Sequence, residues 1–474
     1  MNILAYSVEQ QGKSILFSRS NGEYILTDNW FDAVSFMLEK CDFAVVWNID
    51  RFAQAFLSLV PKFTVKELEN NNGKAFLPNN EKIFYQTGRV FAITYGRETN
   101  IYGLSKYSEK EITSTKELLK LAHEVVEAYR YFGVEATKLS SPVAVYEEVL
   151  DRVPYPRACD LPDNALPMLD AVSKVAWVEW RDVFKLGHWN ANEISDYDLV
   201  AAYPSLIFKL PDISNATFFE SDTLPSEDEY SWGEMIGDLK LTLDVTPFGY
   251  VGEQEQSITT GHLRLINRYE WGEFKYKHGW FFKLPEKYSF PFRKTMQTLY
   301  EARSNQNLLV GAIAKAISVG IGGKLVHRKD SGELGLNNNL IYGRMITSAC
   351  AIKVAEMIWR NGLFKDVISI TVDGLLAENN GINLDLGDGG MGSWRINPPT
   401  PFLVASQNYQ WGEKRHPNGK NYSEMTELIK KSPKSVVIGG VDLNLLDYSR
   451  IFKDRPRNWQ ELLDNKYNST TLRL

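Results

Sequence analysis

The sequence predicts a mixed α/β protein of more than one domain, and three observations carry that reading. Its 474 residues exceed one ordinary domain. Apolar strand-like runs alternate with helical stretches across residues 1–140, the pattern of a layered α/β fold. A short apolar run, Leu199-Val200-Ala201-Ala202, opens on Asp198 and closes on Tyr203-Pro204-Ser205. Such a run bounded by Pro predicts a buried strand that aims a carboxylate from its mouth.

Taken in order, Asn2 to Glu9 and Ser14 to Ser18 flank a Gln11-Gly12 turn and predict a hairpin. A helix at Asp32–Glu39, a strand at Phe43–Ile49 and a helix at Phe52–Leu59 follow. Strands are expected at Phe84–Thr94 and Asn100–Leu104. Glu117 to Phe132 has apolar residues at Leu118, Leu121, Val125, Ala128, Tyr129 and Phe132, an amphipathic helix. Residues 138–190 carry Pro142, Pro154, Pro156, Pro162 and Pro167 and read as a connector, with a helix at Val172–Phe184.

Beyond the central strand, Met235–Val245 and Gly249–Val251 alternate and are expected to extend the sheet that carries Asp198. Thr259 to Trp280 reads as a strand–turn unit. Phe292–Asn305 and Leu308–Val319 predict two helices, antiparallel because only a short turn-rich link joins them. Leu340 to Arg360 is a long helix that begins near Arg344. Val367 to Leu376 predicts a hairpin turning near Asp373-Gly374. Further on, a strand is expected at Ser435–Ile438 and helices at Met425–Lys431 and Trp459–Tyr467.

Composition narrows the class. The chain is 44% hydrophobic and 24% charged, as globular proteins are. Cys41, Cys159 and Cys350 are too scattered for a metal-ligand pattern, which points to a reducing cytoplasm. No apolar run approaches a membrane span and no signal peptide opens the chain, so no membrane partner is expected. The net charge is −6, yet Arg264 to Lys329 holds thirteen basic and four acidic residues. Tyr269, Trp271, Phe274, Tyr276, Trp280, Phe281 and Phe282 are interleaved with them. Cations with stacking faces suit a nucleic-acid groove; a solvated surface has the same composition. On the residues alone, Asp198 is either a metal ligand or the cap of a turn, and Asp373-Gly374 either a site or a plain hairpin turn.

The run from Asp198 to Ser205 resembles motif A of family B DNA polymerases, Asp-x-x-Ser-Leu-Tyr-Pro-Ser, with Asp198, Tyr203, Pro204 and Ser205 in register. Lys315 to Lys324 resembles motif B of the protein-primed phage and plasmid branch. Lys315, Gly323 and Lys324 match it; Val319 and Gly322 replace the family Asn and Tyr. Thr371-Val372-Asp373-Gly374 resembles motif C, Asp373 standing on its second Asp and Thr371 on its first. Gly392-Ser393-Trp394 before Gln407-x-Tyr409 is similar to the branch's Leu-Gly-x-Trp and Lys-x-Tyr segments. Four such segments in the family order span residues 190–410.

The resemblance implies an RNase H-like exonuclease-type N-terminal domain followed by a right-hand palm, fingers and small thumb. The implied boundaries are 1–140 exonuclease-like, 141–190 connector, 191–291 palm, 292–340 fingers, 341–410 palm, and 411–474 thumb. It implies template-directed DNA synthesis with Asp198 and Asp373 holding two Mg²⁺, or Mn²⁺, ions. Tyr203, Leu199, Arg303, Lys315 and Lys324 would bind the deoxynucleoside triphosphate, Leu199 through the backbone amides that run to Ala202. Tyr203 would exclude a 2′-hydroxyl. Lys294, Gly323 and Tyr409 would contact primer-template DNA. A priming protein or other replication proteins are the further partners, in the cytoplasm of a bacterial host, the gene being phage- or plasmid-borne. The exonuclease acids are degenerate: Ser7-Val8-Glu9 replaces Asp-x-Glu, Ala53 replaces the Asp after Phe52, and the helix that should carry Tyr-x-x-x-Asp has only His123, Glu124 and Glu127. Proofreading is therefore not expected. Primase-like, primer-independent synthesis is one alternative. A catalytically inactive polymerase fold that binds nucleic acid or a replisome partner is another.

Overall fold

The computed structural model describes residues 3–11, 14–37, 43–71, 73–77, 82–86, 90–95, 97–107, 110–135, 143–175, 179–185, 187–249, 251–328, 333–379, 384–404, 410–412, 423–424, 427, 436–438 and 441–443. The chain divides into two compact units. The first holds residues 1–153 and 298–321; the second holds 154–297 and 322–474.

The first unit is built on an eight-stranded sheet. Its strands are β1 (Ile3–Gln11), β2 (Ser14–Arg19), β3 (Tyr24–Thr27), β4 (Phe43–Val46), β5 (Lys74–Phe76), β6 (Lys82–Gln86), β7 (Val90–Tyr95) and β8 (Arg97–Gly103), ordered β3-β2-β1-β4-β8-β7-β6-β5. Only β1–β4 and β4–β8 are parallel. Helices α1 (Trp30–Met37), α2 (Ile49–Leu59), α3 (Lys62–Asn70), α4 (Thr115–Tyr131) and α5 (Val143–Asp151) accompany it. Parallel strands need crossovers, and α1 lies in the connection from β1 to β4. Ile3 to Tyr6 are all buried, as a strand covered on both faces requires. Phe17, Phe52, Phe56 and Phe91 meet edge to face with centroids 5.1 to 6.2 Å apart. Asn48 caps α2 by accepting from the amides of Asp50 and Arg51, each at 2.9 Å.

The second unit contains three sheets and a buried helix that position the site. Its strands are β9 (Arg181–Val183), β10 (Gly187–Trp189), β11 (Ile194–Leu199), β12 (Thr217–Ser221), β13 (Trp232–Leu241), β14 (Gly252–Thr259), β15 (Gly272–Lys283), β16 (Val367–Thr371), β17 (Gly374–Glu378), β18 (Trp394–Ile396), β19 (Phe402–Val404) and β20 (Gln410–Trp411). A small ribbon of β21 (Val436–Ile438) and β22 (Val441–Leu443) follows. The central sheet runs β18-β11-β17-β16-β9, antiparallel throughout. Val183, Trp189, Ile194, Ile368, Leu376, Phe402 and Val404 form a buried cluster on it. The helices are α6 (Leu166–Ser173), α7 (Ala202–Ile207), α8 (Thr260–Tyr269), α9 (Arg293–Ala302), α10 (Leu308–Leu325) and α11 (Leu340–Arg360); the division between units falls within α9 and α10. Asn339 caps α11 through the Tyr342 amide. Within α11, Arg344 is buried and donates to both oxygens of buried Glu234, at 2.9 and 3.0 Å.

The mixed α/β class is the one expected, and several elements differ in detail. Residues 172–184 are not a helix: α6 ends at Ser173 and Arg181–Val183 is a strand paired with β16. Met235–Leu241 does not extend the sheet of Asp198. It lies in β13, within a separate sheet ordered β12-β15-β13-β14. Thr259 is a helix cap, its hydroxyl accepting from the His262 amide, so α8 replaces the expected strand–turn unit. Phe84–Thr94 is two strands, β6 and β7, and α3 was not anticipated. Of the expected C-terminal elements, residues 436–438 are a strand, whereas 459–467 and most of 425–431 lie outside the described residues. Contrary to the expectation that no apolar run approaches a membrane span, α10 is long and apolar enough by length and composition, although half of it is buried.

In the first unit, the acids weighed for nuclease chemistry lie apart from one another in role. Glu9 is exposed, Asp50 accepts from the Tyr85 hydroxyl at 2.7 Å, and His123, Glu124 and Glu127 face solvent on α4.

Candidate functional site

Asp198 rides on β11, and Asp373 sits in the turn that opens the neighbouring strand β17. Asp198 on β11 stands opposite Gly374 on β17, and the Leu199 amide donates to the Asp373 carbonyl at 3.1 Å. Thus Asp373, at the β16–β17 turn, is one residue from direct register with Asp198. That turn is tight: Val372 has φ 66°, a left-handed conformation rare for a β-branched residue. The Val372 amide donates to the Trp180 carbonyl at 2.9 Å, tying the turn to the chain leading into β9. Asp196, two residues before Asp198 and so on the same strand face, joins both acids in lining a cleft of about 270 Å³. Thr371, Arg395 and Asn397 also line it.

The strand ends earlier than its apolar run. β11 stops at Leu199 and Ala201 turns left-handed with φ 50°. α7 then begins at Ala202, placing Pro204 in the first turn, where its missing N–H costs no helix bond. The turn aims Tyr203 back toward the sheet. Its hydroxyl donates to Glu179 Oε1 at 2.5 Å. Burial, then the Glu179 bond and charge, with Cys350 and Asp373 adding to them, hold the Tyr203 hydroxyl far above the usual phenol range. Burial beside Asp373 and Glu179 likewise pushes the Cys350 thiol up to about 12. These shifts place Tyr203, Cys350, Glu179 and Asp373 in one electrostatic neighbourhood.

Three residues of this site were not anticipated. Arg395 on β18 stands directly opposite Asp198, and its guanidinium pairs with that carboxylate. Asp196 accepts from the Asn397 side-chain amide at 2.9 Å. Glu179 was hidden by the helical reading of 172–184. The only available signals were an acid set between Val178 and Trp180, and the alternation in Trp394-Arg395-Ile396.

The Leu199 and Val200 amides are already used, by the carbonyls of Asp373 and Ser393, so these two of the expected phosphate donors are not available. The reason is that the sheet continues through them. Lys324, half-buried, and Gly323, with open space where a Cβ would stand, lie at the C-terminal end of α10 in this same unit. Lys294 is exposed on α9. Arg303 and exposed Lys315 belong to the first unit. Tyr409 lies outside the described residues.

The basic window is less of a groove than its composition suggested. Lys277 pairs with Asp238 at 2.6 Å and Glu255 at 2.9 Å, Arg264 with Glu227 at 3.2 Å, and Arg268 with Glu356 at 3.6 Å. Arg293 stacks over the Phe290 ring at 3.9 Å. Trp271, Phe281 and Phe282 are fully buried and pack the core instead of offering stacking faces. Trp271 precedes β15, and the adjacent Phe281 and Phe282 point to opposite faces of it, both covered, so the strand's end is buried on each side.

No cluster of three or more His, Cys, Asp or Glu that could hold a metal occurs among the described residues. The candidate donors are the pair Asp198 and Asp373, which line one cleft. Hard oxygen donors of this kind fit Mg²⁺, which is commonly held by one or two carboxylates together with substrate phosphates.

No protein-family model matches the sequence, and no curated protein matches it. Solved structures do. The mixed α/β fold is the one seen in solved structures of phi29 DNA polymerase. In particular, the chain is similar to phi29 DNA polymerase complexed with primer-template DNA in a post-translocation binary complex, at 13% identity and TM-score 0.57, covering 94% of this chain and 99% of that one. It is similar to the orthorhombic crystal form of phi29 DNA polymerase at the same identity and TM-score, covering 94% and 90%. The ternary complex of phi29 DNA polymerase with primer-template DNA and incoming nucleotide matches at 13% identity and TM-score 0.55, over 87% and 86%. At such identity the likeness is one of fold.

Proposed function

We propose that this chain is a template-directed DNA polymerase of the family B type, extending a 3′-hydroxyl with deoxynucleotides. The observation that carries the reading is the pairing of β11 with the β16–β17 hairpin, which sets Asp198 and Asp373 side by side at one cleft. Asp198 and Asp373 would hold two Mg²⁺. When bound, these ions would supply activation of the 3′-hydroxyl and neutralisation of the leaving pyrophosphate. The chain's own groups orient and select. The Tyr203 ring forms the floor on which the sugar sits and excludes a 2′-hydroxyl. Lys324, Lys315 and Arg303 are the candidate phosphate cations, and Lys294, Gly323 and Tyr409 the candidate contacts to primer-template DNA. With the carboxylates of the first unit scattered, Glu9 exposed and Asp50 engaged by Tyr85, we assign it no proofreading.

One observation favours a second reading, a non-catalytic polymerase fold that binds nucleic acid. The Arg395 guanidinium occupies the Asp198 carboxylate that a metal would need. Primer extension in Mg²⁺, with and without primer, separates the readings. Synthesis that needs primer and is abolished by Asp198→Ala and by Asp373→Ala supports the proposal. Synthesis that survives either substitution rejects it, primer-free synthesis supports a primase-like enzyme, and DNA binding without synthesis supports the second reading.

A further inference from the structure

We propose that Glu179 is a positioning residue: it holds the Tyr203 ring at the nucleotide site and so sets how strongly a 2′-hydroxyl is rejected. This rests on the polymerase reading above and names the group on which its sugar selectivity depends.

Glu179 is mostly buried, its side chain 17% exposed. Its two carboxylate oxygens are divided between two partners. Oε1 accepts from the Tyr203 hydroxyl at 2.5 Å, and Oε2 accepts from Arg181 Nε at 3.2 Å and Nη2 at 2.7 Å. Arg181 is fixed in turn by β9, where it stands opposite Thr371. The next residue, Trp180, accepts the Val372 amide through its carbonyl. Glu179 is therefore held by the same hairpin that carries Asp373.

Tyr203 is restrained through its hydroxyl, which donates to Glu179. It sits in the first turn of α7, a helix of only six residues that starts from a left-handed Ala201. The hydroxyl lies on the ring's long axis, so its bond to Glu179 fixes where that axis points, a direction the first torsion would otherwise leave to the staggered wells. A hydrogen bond to a carboxylate is about twice as strong as one between neutral groups. It links the ring to the Asp373 hairpin across two elements that the sequence keeps far apart. The raised Tyr203 hydroxyl remains protonated and donating across the whole working pH range. A ring whose axis cannot swing rejects an extra hydroxyl; one that swings away admits it.

The test is the ratio of kcat/KM for a deoxynucleotide to that for the matching ribonucleotide, measured by single-nucleotide primer extension with the full chain. Glu179→Ala and Tyr203→Phe each remove the bond while keeping the ring. Each is expected to lower the ratio about 10-fold, the order of a lost charge-assisted bond. The loss should appear chiefly as a lower KM for the ribonucleotide. Glu179→Gln keeps an acceptor oxygen and should restore most of the ratio. The double variant Glu179→Ala/Tyr203→Phe should be no worse than either single change, since both break one bond. A purely structural role predicts equal loss with both sugars, a fallen melting temperature and an unchanged ratio. That result, or a Glu179→Ala protein that synthesises DNA with wild-type selectivity, overturns the assignment and leaves the polymerase reading standing. A wild-type chain that extends no primer removes both.

Discussion

Arg395 stands directly opposite Asp198 across the β11–β18 ladder, and the two side chains are joined by an ion pair. The pair is half open: Arg395 is 55% exposed and Asp198 24%. Exposed pairs of this kind are worth about 0.2–1 kcal/mol. On the proposed reading, a divalent cation arriving at Asp198 would displace only a weak partner.

Arg395→Ala is expected to lower the Mg²⁺ concentration for half-maximal primer extension by up to about 5-fold, the equivalent of that pair energy. Titration of Mg²⁺ in extension assays measures it. A rise in the half-saturating concentration would show that Arg395 assists the substrate and does not compete with the metal.

Glu234 and Arg344 form a fully buried pair, supported by Ser257, whose hydroxyl donates to Glu234 at 2.7 Å. Glu234→Ala strands a buried guanidinium, and the expected cost is about 3–5 kcal/mol of unfolding free energy. Urea unfolding checks it. An apolar replacement of both residues should cost clearly less than either single change, since no charge is then left buried.

His262 gives the second unit a pH dependence. Burial first, and the nearby Arg344 charge second, hold its imidazole well below 6.5. The unfolded chain takes up a proton near that pH that the folded chain refuses. Stability is therefore complete above pH 6.5 and falls as the pH drops below it, by about 1.4 kcal/mol per unit for this one group. His262→Gln should remove that part of the slope, read as the difference in melting temperature between pH 7.5 and pH 5.5.

Val372 holds a left-handed backbone beside Asp373. For an L-residue this costs about 1–2 kcal/mol, a cost glycine escapes. Val372→Gly should therefore be at least as stable as Val372→Ala, reversing the usual order at a strand end. Equilibrium denaturation of the two variants decides it.

What the sequence could reveal was what local pattern determines. Asp198 and Asp373 were legible because each sits on an apolar run with a sharp stop, and α4 and α11 because their apolar positions repeat at helical spacing. Sheet membership was not legible. β13 alternates as a strand should, yet nothing in its residues says that it pairs with β15 and not β11. Glu179 was lost because an apolar stretch around 172–180 fits helix and buried strand equally. Arg395 was lost because its importance comes from its opposite number nearly two hundred positions earlier. The basic window misled because composition counts charges without their partners.

The ladder between β11 and β17 has one more consequence. Neighbouring strands in a sheet lie about 4.8 Å apart, and here peptide bonding, the Leu199–Asp373 link included, sets the spacing of the two acid-bearing backbones. No hinge or lid has to swing to bring the carboxylates together. If the two acids hold cations as proposed, the second unit has their backbones already in place, and only side-chain torsions remain to be chosen.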